Sequence, residues 1–142
     1  MRTMLHFVSL LLLILFFTNC SKDFLKRYDK RIIGTWKITD VNRHGIGSSA
    51  NLPFKEGGIF SFLEDGDLTH TFEGQAYNGS WDVRKEIRDE KNVNSLHITA
   101  IDFTNQKVLS EFFNEMLFTR TNHFKAFIYT ATRTYVYHFS RQ

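Results

Sequence analysis

Eight runs of alternating apolar and polar residues, separated by turn chemistry, fill the chain from Trp36 to Arg141. A period of two sends successive side chains to opposite faces, which suits strands with one buried side. The runs are Trp36 to Arg43, Ile59 to Leu63, Leu68 to Phe72, Ala76 to Arg84, Ser95 to Phe103, Lys107 to Thr119, His123 to Thr130 and Arg133 to Arg141. They are rich in Thr, Phe, Ile, Val, Tyr and Trp, the residues that fit a pleated, half-buried surface, and the single proline, Pro53, falls outside them. Between the second and third, Glu64-Asp65-Gly66-Asp67 carries the Asp-Gly pair whose glycine supplies a positive φ. Arg88 to Asn92, Thr104-Asn105-Gln106 and Thr121-Asn122 make further short turns. Short connections favour antiparallel neighbours, and eight such strands can close on themselves so that no edge is left exposed. The pattern therefore predicts an all-β fold, an eight-stranded antiparallel up-and-down barrel, with an open meander as the alternative. Ahead of it, Lys22 to Ile33 reads as a tether or a short N-terminal helix, with Phe24, Leu25, Tyr28 and Ile32 at helical spacing. The one extended loop, His44 to Gly58, is rich in Gly and Ser and is expected to act as a mobile lid.

The N-terminus follows different rules. Phe7 to Phe17 is apolar apart from Ser9, yet it reaches only about half of the ~30 Å that a membrane-spanning helix must cross. Arg2, the amino terminus and His6 precede it, and polar sequence follows at once, as in an export signal. Cys20 is the only cysteine, so a disulfide within the chain is impossible. A free cysteine is often a small core residue, but nothing around Cys20 could build a core. Phe17-Thr18-Asn19-Cys20 resembles the lipobox of bacterial lipoproteins. The resemblance implies that residues 1–19 are a signal peptide, that Cys20 is the lipid attachment site and first mature residue, and that 20–32 form anchor and tether. Lipid on the sulfur contributes ~0.8 kcal/mol per buried CH₂, and more than one acyl chain makes the hold stable. The expected location is the bacterial cell envelope, anchored to the outer membrane. Ser21-Lys22-Asp23 resembles the surface-export signals of some Gram-negative lipoproteins, and the periplasmic face and cell surface both stay open.

Loss of Arg2 with the signal leaves the remaining basic residues only slightly ahead of the 15 acidic ones. Such a balance asks for no polyanionic partner, and nucleic acid binding would need basic residues across a folded face with stacking aromatics. The basic concentration at Lys22, Lys26, Arg27, Lys30 and Arg31 suits a solvated collar beside anionic headgroups.

A second resemblance concerns residues 33–142, the expected domain. Gly34-Thr35-Trp36, opening the first strand after a short helical lead-in, resembles the Gly-x-Trp mark of the lipocalins, and "FSFLEDGDL", "GSWDV", "LHI" and "YVYHFSR" are similar to small lipocalin-like domains of bacterial lipoproteins. The resemblance implies a lipocalin-like barrel that binds small apolar molecules. It also implies that a basic residue near the last strand packs across the tryptophan, which makes Arg141, with Arg133 as fallback, the partner of Trp36.

No residue set marks an enzyme. The chain has no phosphate loop ending in Gly-Lys-Ser or Gly-Lys-Thr and no Gly-x-Ser-x-Gly turn. His70, His97 and His138 fall on expected strands and read as half-exposed strand residues, convergence on a metal being the alternative. Glu64, Asp65 and Asp67 read as turn chemistry rather than a calcium loop. Glu111 and Glu115, four apart, are expected to share a solvent-facing side of one strand. No cofactor is expected. The aromatics remain, and an eight-stranded barrel either packs solid or holds one small ligand. Phe60, Phe62, Trp81 and Tyr137 are the candidate ligand-binding residues, for a small apolar or amphipathic molecule at the end covered by the lid. The rival expectation is a protein-interaction module, an inhibitor or accessory subunit, with a filled barrel as scaffold.

Overall fold

The structure, a computed structural model, describes residues 26–47 and 50–142, so the expected signal segment, Cys20 and the tether up to residue 25 lie outside the described residues. The helical lead-in is one turn, α1 (Tyr28–Arg31), with Asp29 in its first turn and Lys30 and Arg31 in its last, the arrangement that suits the helix dipole. Eight strands follow: β1 (Gly34–Gly45), β2 (Gly58–Phe62), β3 (Asp67–Phe72), β4 (Gln75–Arg88), β5 (Lys91–Asp102), β6 (Lys107–Arg120), β7 (His123–Tyr129) and β8 (Arg133–Arg141). Each pairs antiparallel with the next, and β1 pairs with β8, so the sheet is a closed up-and-down barrel. Among the described residues no helix is long and apolar enough to cross a membrane.

One end, here the base, carries α1, the Leu63–Asp67 turn and the Thr121-Asn122 turn. The other carries the lid, the long connection between β1 and β2. The alternation of each run turns its bulky groups inward, where their rings stack into a continuous column. From the base, Trp36 meets Phe124 with centroids 4.8 Å apart, Phe124 stacks on Phe139 at 4.3 Å, Phe139 meets Phe60 at 5.7 Å, and Phe60 stacks on His70 at 4.2 Å under the lid. Phe113 joins the column through Phe139 and Tyr137. Edge-to-face and offset stacks at these separations add to the roughly 25 cal/mol per Å² gained by removing apolar surface from water. Trp36, Phe60, Phe62, Phe113 and Tyr137 are wholly shielded from solvent.

The base is closed by one cation. Trp36 and Arg141 face each other in the β1–β8 register, and the guanidinium lies 4.3 Å from the indole centroid. Its Nη1 donates to the Ile33 carbonyl at 2.9 Å and its Nη2 to the Arg31 carbonyl at 2.7 Å, while the Trp36 Nε1 donates to the Ile32 carbonyl at 2.6 Å. Helix C-terminal carbonyls have no partner within the helix. Here Trp36 and Arg141 supply them. The glycine of Gly34-Thr35-Trp36 has a direct steric cause: its φ is +123°, and a Cβ there would stand 2.5 Å from the Arg141 Nη1.

The strands depart from strict alternation at three places. Register shifts between Ile38 and Asp40, between Asn94 and Leu96 opposite β6, and between Phe118 and Arg120 each mark a bulge. The second corrects the expectation for Glu111 and Glu115: the extra residue in β6 lies between them, so Glu111 pairs with the buried Ile98 and turns inward, while Glu115 stays outside and accepts a hydrogen bond from the Tyr129 hydroxyl at 2.8 Å. The expected five-residue charged turn is also shorter. β4 runs to Arg88 and β5 starts at Lys91, joined by Asp89 and Glu90 with φ of 47° and 63°. Two successive positive φ values match the right-handed twist of a two-residue hairpin. By contrast, the Glu64–Asp67 turn is as expected: Gly66 has φ +92°, and Asp65 Oδ1 accepts from the Asp67 amide at 3.0 Å.

The base closure makes a direct prediction. Arg141→Met keeps much of the apolar stem but strands the Ile33 and Arg31 carbonyls, and should cost about 2–4 kcal/mol in chemical denaturation. Arg141→Lys cannot serve both carbonyls from one planar fork and should recover less than half of that loss. A cost within experimental error of zero for Arg141→Met would contradict the closure.

Candidate functional site: the lid cleft

The lid is bound to the rim by polar ties from β1 and β8. Arg43 Nη1 donates to the Gly47 carbonyl at 3.1 Å, and Arg133 Nε donates to the Ile46 carbonyl at 2.9 Å. Further along, the Ala50 amide donates to the Tyr135 hydroxyl at 3.0 Å, and the Tyr137 hydroxyl donates to the Pro53 carbonyl at 3.0 Å. The Ala50 amide, with Arg133 behind it, lowers the Tyr135 pKa, whereas burial, reinforced by the charge of Glu111, raises that of Tyr137. Burial likewise raises the Glu111 carboxyl.

Phe54 is the lid's anchor. It is only 6 % exposed, and its ring meets Phe60 edge-on at 5.2 Å and His70 at 5.1 Å. Its φ is +58°, the left-handed region that a bulky side chain seldom occupies and that costs of order 1–2 kcal/mol. Burial of the ring offsets that strain. A non-glycine residue held this way marks a place where the surrounding structure over-determines the backbone.

Beneath Phe54 lies His70, 2 % exposed, stacked on Phe60 and 5.3 Å from the Tyr77 ring. Its Nδ1 is buried and has no hydrogen-bond partner. The Cε1–Nδ1 edge lies against Gly58, where the lid rejoins the sheet: a Cβ on Gly58 would stand 2.2 Å from Cε1, and φ there is +122°. Burial lowers the His70 pKa from 6.5 to about 4, with a backbone hydrogen bond to Ile59 opposing it, so the imidazole is neutral at ordinary pH.

Lid and rim enclose a cleft of about 280 Å³ lined by Leu52, Phe54, His70, Phe72, Tyr77 and Leu109, with Lys55, Glu56 and Lys107 among its polar walls. Its size falls just below that of ligand sites, which begin near 300 Å³. Beside it, Asp102 accepts from the Thr104 and Asn105 amides and from Asn105 Nδ2, which hold its carboxyl below the usual range.

The expected ligand residues divide between the two ends of the barrel. Phe60 touches the lid through Phe54 and His70, and Tyr137 touches it through Pro53. Phe62 and Trp81 pack together at 5.6 Å near the base, where Trp81 Nε1 donates to the Leu63 carbonyl at 3.0 Å. None of the four is among the residues that line the lid cleft. The three strand histidines also stay apart. His97 faces outward beside Asp82 and Ser110, His138 bonds Asn42 on the β1–β8 face, and only His70 points inward. Its burial corrects the half-exposed reading, and the signal was present: in Leu68-Thr69-His70-Thr71-Phe72 the histidine shares the face of Leu68. Phe54 carried no such signal, because its position follows from lid geometry rather than from periodicity.

Comparison with protein-family models, with curated proteins and with solved structures finds no match to this chain.

The buried neutral histidine sets a pH dependence. The unfolded chain takes up a proton near pH 6.5 that the folded chain refuses until about pH 4. The stability tied to His70 is therefore full above pH 6.5 and is lost as pH falls toward 4, by about 3 kcal/mol at most. Chemical denaturation of wild type and His70→Phe at pH 7 and pH 4.5 should show the variant losing less stability on acidification, since Tyr77, Lys55, Glu56 and Lys107, which border the same cleft, are unchanged. Equal losses in the two proteins would show that His70 is not held neutral by burial.

Proposed function

We propose that this chain is a non-enzymatic envelope lipoprotein, held to the outer membrane through lipid on Cys20, whose lipocalin-like barrel binds a small apolar or amphipathic molecule between lid and rim. The observation that supports the site is a strained, buried Phe54 set over the buried His70 in one cleft between lid and rim. A bulky residue held in the left-handed region marks a place where strain is kept for use, and a lid anchored by one such ring can yield its place to a ligand. The ring column fills the space below, so the ligand sits at the mouth against Phe54, His70 and Tyr77, with Phe60 and Tyr137 behind these residues and Phe62 and Trp81 nearer the base.

A second reading, a protein-interaction module, draws support from the outer face. Ile101 and Val108 pair across β5 and β6, and Phe103 at the adjoining turn is 72 % exposed. Native mass spectrometry of the protein extracted gently from its own membranes separates the two. A bound species of small-molecule mass supports the first reading, and a co-extracted polypeptide without one supports the second.

The anchor has its own test. Cys20→Ser should leave the chain unacylated and missing from the membrane fraction. Unchanged sedimentation of that variant with membranes would overturn the assignment.

A further inference from the structure

We propose that His70 is an acid-operated latch on the lid: a second proton on its ring has no place while Phe54 covers it and Gly58 lies against its edge, so acidification releases the arm from Ala50 to Gly57 while the barrel beneath stays closed. The inference gives the lid cleft a means of regulation, and it rests on that cleft being the ligand site only for its consequence, that a ligand is let go in acid. Geometry makes the case. The buried ring has Phe60 stacked on one side at 4.2 Å, Phe54 edge-on at 5.1 Å and Tyr77 at 5.3 Å. Its Nδ1 is shielded and without a partner, which a neutral imidazole tolerates by leaving one nitrogen as an unused acceptor. An imidazolium donates from both nitrogens, and the closed lid gives Nδ1 no acceptor. None fits: a Cβ on Gly58 would already stand 2.2 Å from Cε1 and 3.0 Å from Nδ1.

The groups around the ring supply no counter-charge. β2, which stacks Phe60 on it, carries no titratable residue, and β4 brings the Tyr77 hydroxyl, which donates to Gln75 Oε1. Lys55 and Glu56 from the lid and Lys107 from β6 border the cleft and sum to a further positive charge. Glu111, turned inward on β6, is pushed up by burial, so acid removes its charge, and Asp102 beside the cleft is engaged by Thr104 and Asn105. What yields is the arm. Among the described residues it is tied to the rim by the Ala50 amide on the Tyr135 hydroxyl and by the Tyr137 hydroxyl on the Pro53 carbonyl. Gly57 and Gly58, at φ +103° and +122°, form its joint with β2, and release relieves Phe54 of its φ of +58°. The sheet has no such freedom, since Phe60 pairs with Trp36 on one side and His70 on the other. The sign follows from burial, which holds the ring at about 4 under the lid where exposure returns it to 6.5. Opening therefore grows easier as pH falls below 6.5 and gains nothing more below about 4.

Amide hydrogen exchange of the mature chain, corrected for the intrinsic rate at each pH, tests the latch without a ligand, so its failure is separate from failure of the binding reading. Protection of the Ala50 and Gly57 amides should fall about twentyfold from pH 7 to pH 5, while Ile38 and Phe139 in the seam stay better protected at both. In His70→Phe the fall should be less than about threefold. A second variant, Phe54→Gly, uncovers the ring and leaves the strands untouched. Its His70 Hε1 resonance should titrate about one pH unit or more above that of wild type. Lid protection that is the same at pH 7 and pH 5 in wild type, or that falls equally in His70→Phe, would overturn the latch. So would a His70 midpoint unmoved by Phe54→Gly. That titration keeps the histidine, so poor folding of His70→Phe leaves it decisive.

Discussion

Arg141 ties the C-terminal strand of the barrel domain to its N-terminal lead-in. A sheet becomes a barrel only if its first and last strands pair, and here the seam is locked where it begins: a guanidinium covers the Trp36 indole and donates to two carbonyls at the end of α1. One side chain from the C-terminus thus fixes the N-terminal lead-in, closes the base and shields the bottom of the ring column. The close approach of its Nη1 leaves no room for a Cβ at residue 34, which ties the glycine two residues before Trp36 to the same contact. Cation–π attraction and charge-assisted hydrogen bonds are strongest where water is excluded, and the half-buried guanidinium has one face covered by the fully buried indole.

A base built this way leaves the upper end as the part that can change. Rings in contact from Trp36 to His70 make the interior a rod rather than a pocket, and packed cores deform little. The lid differs in kind. Among the described residues it is tied by hydrogen bonds from Arg43, Arg133, Tyr135 and Tyr137 and anchored by one strained aromatic, and none of those residues between Gly45 and Gly58 belongs to a strand. Phe54, with Ala50 and Leu52, still packs on the core, but a segment outside the sheet ladder opens at lower free energy than the strands it covers. The proposed binding site follows from that contrast.

Much of the fold was legible from residue order. Alternation in eight runs located every strand, because a half-buried strand must alternate, and Gly66 marked its turn because few other residues accept that φ. Trp36 and Arg141 pair across the β1–β8 seam, with the guanidinium over the indole. The misses have physical causes. A bulge inserts one residue and turns over every later side chain on its strand, so Glu111 and Glu115 changed faces at a place that no local pattern announces. Asp89 and Glu90 read as a longer loop because charged residues seldom hold two positive φ values in succession. At the site, large aromatics were legible as buried but not as floor or wall, since that division depends on which end of the barrel each strand position reaches. Phe62 and Trp81 lie toward one end and Phe60 and Tyr137 face the other. His70 lay within reach of strand periodicity, and Phe54 did not.

Native-state hydrogen exchange distinguishes a rigid barrel under a lid that opens by itself from a barrel and lid that open together. The amides of Trp36, Ile38 and Phe139, along the β1–β8 seam, should exchange only through global unfolding. The lid amides of Ala50 and Gly57 should exchange at least a hundredfold faster, with little dependence on denaturant, a difference of about 3 kcal/mol. Seam amides that exchange ahead of the other strands, or lid amides that exchange only with the whole barrel, would contradict the first arrangement.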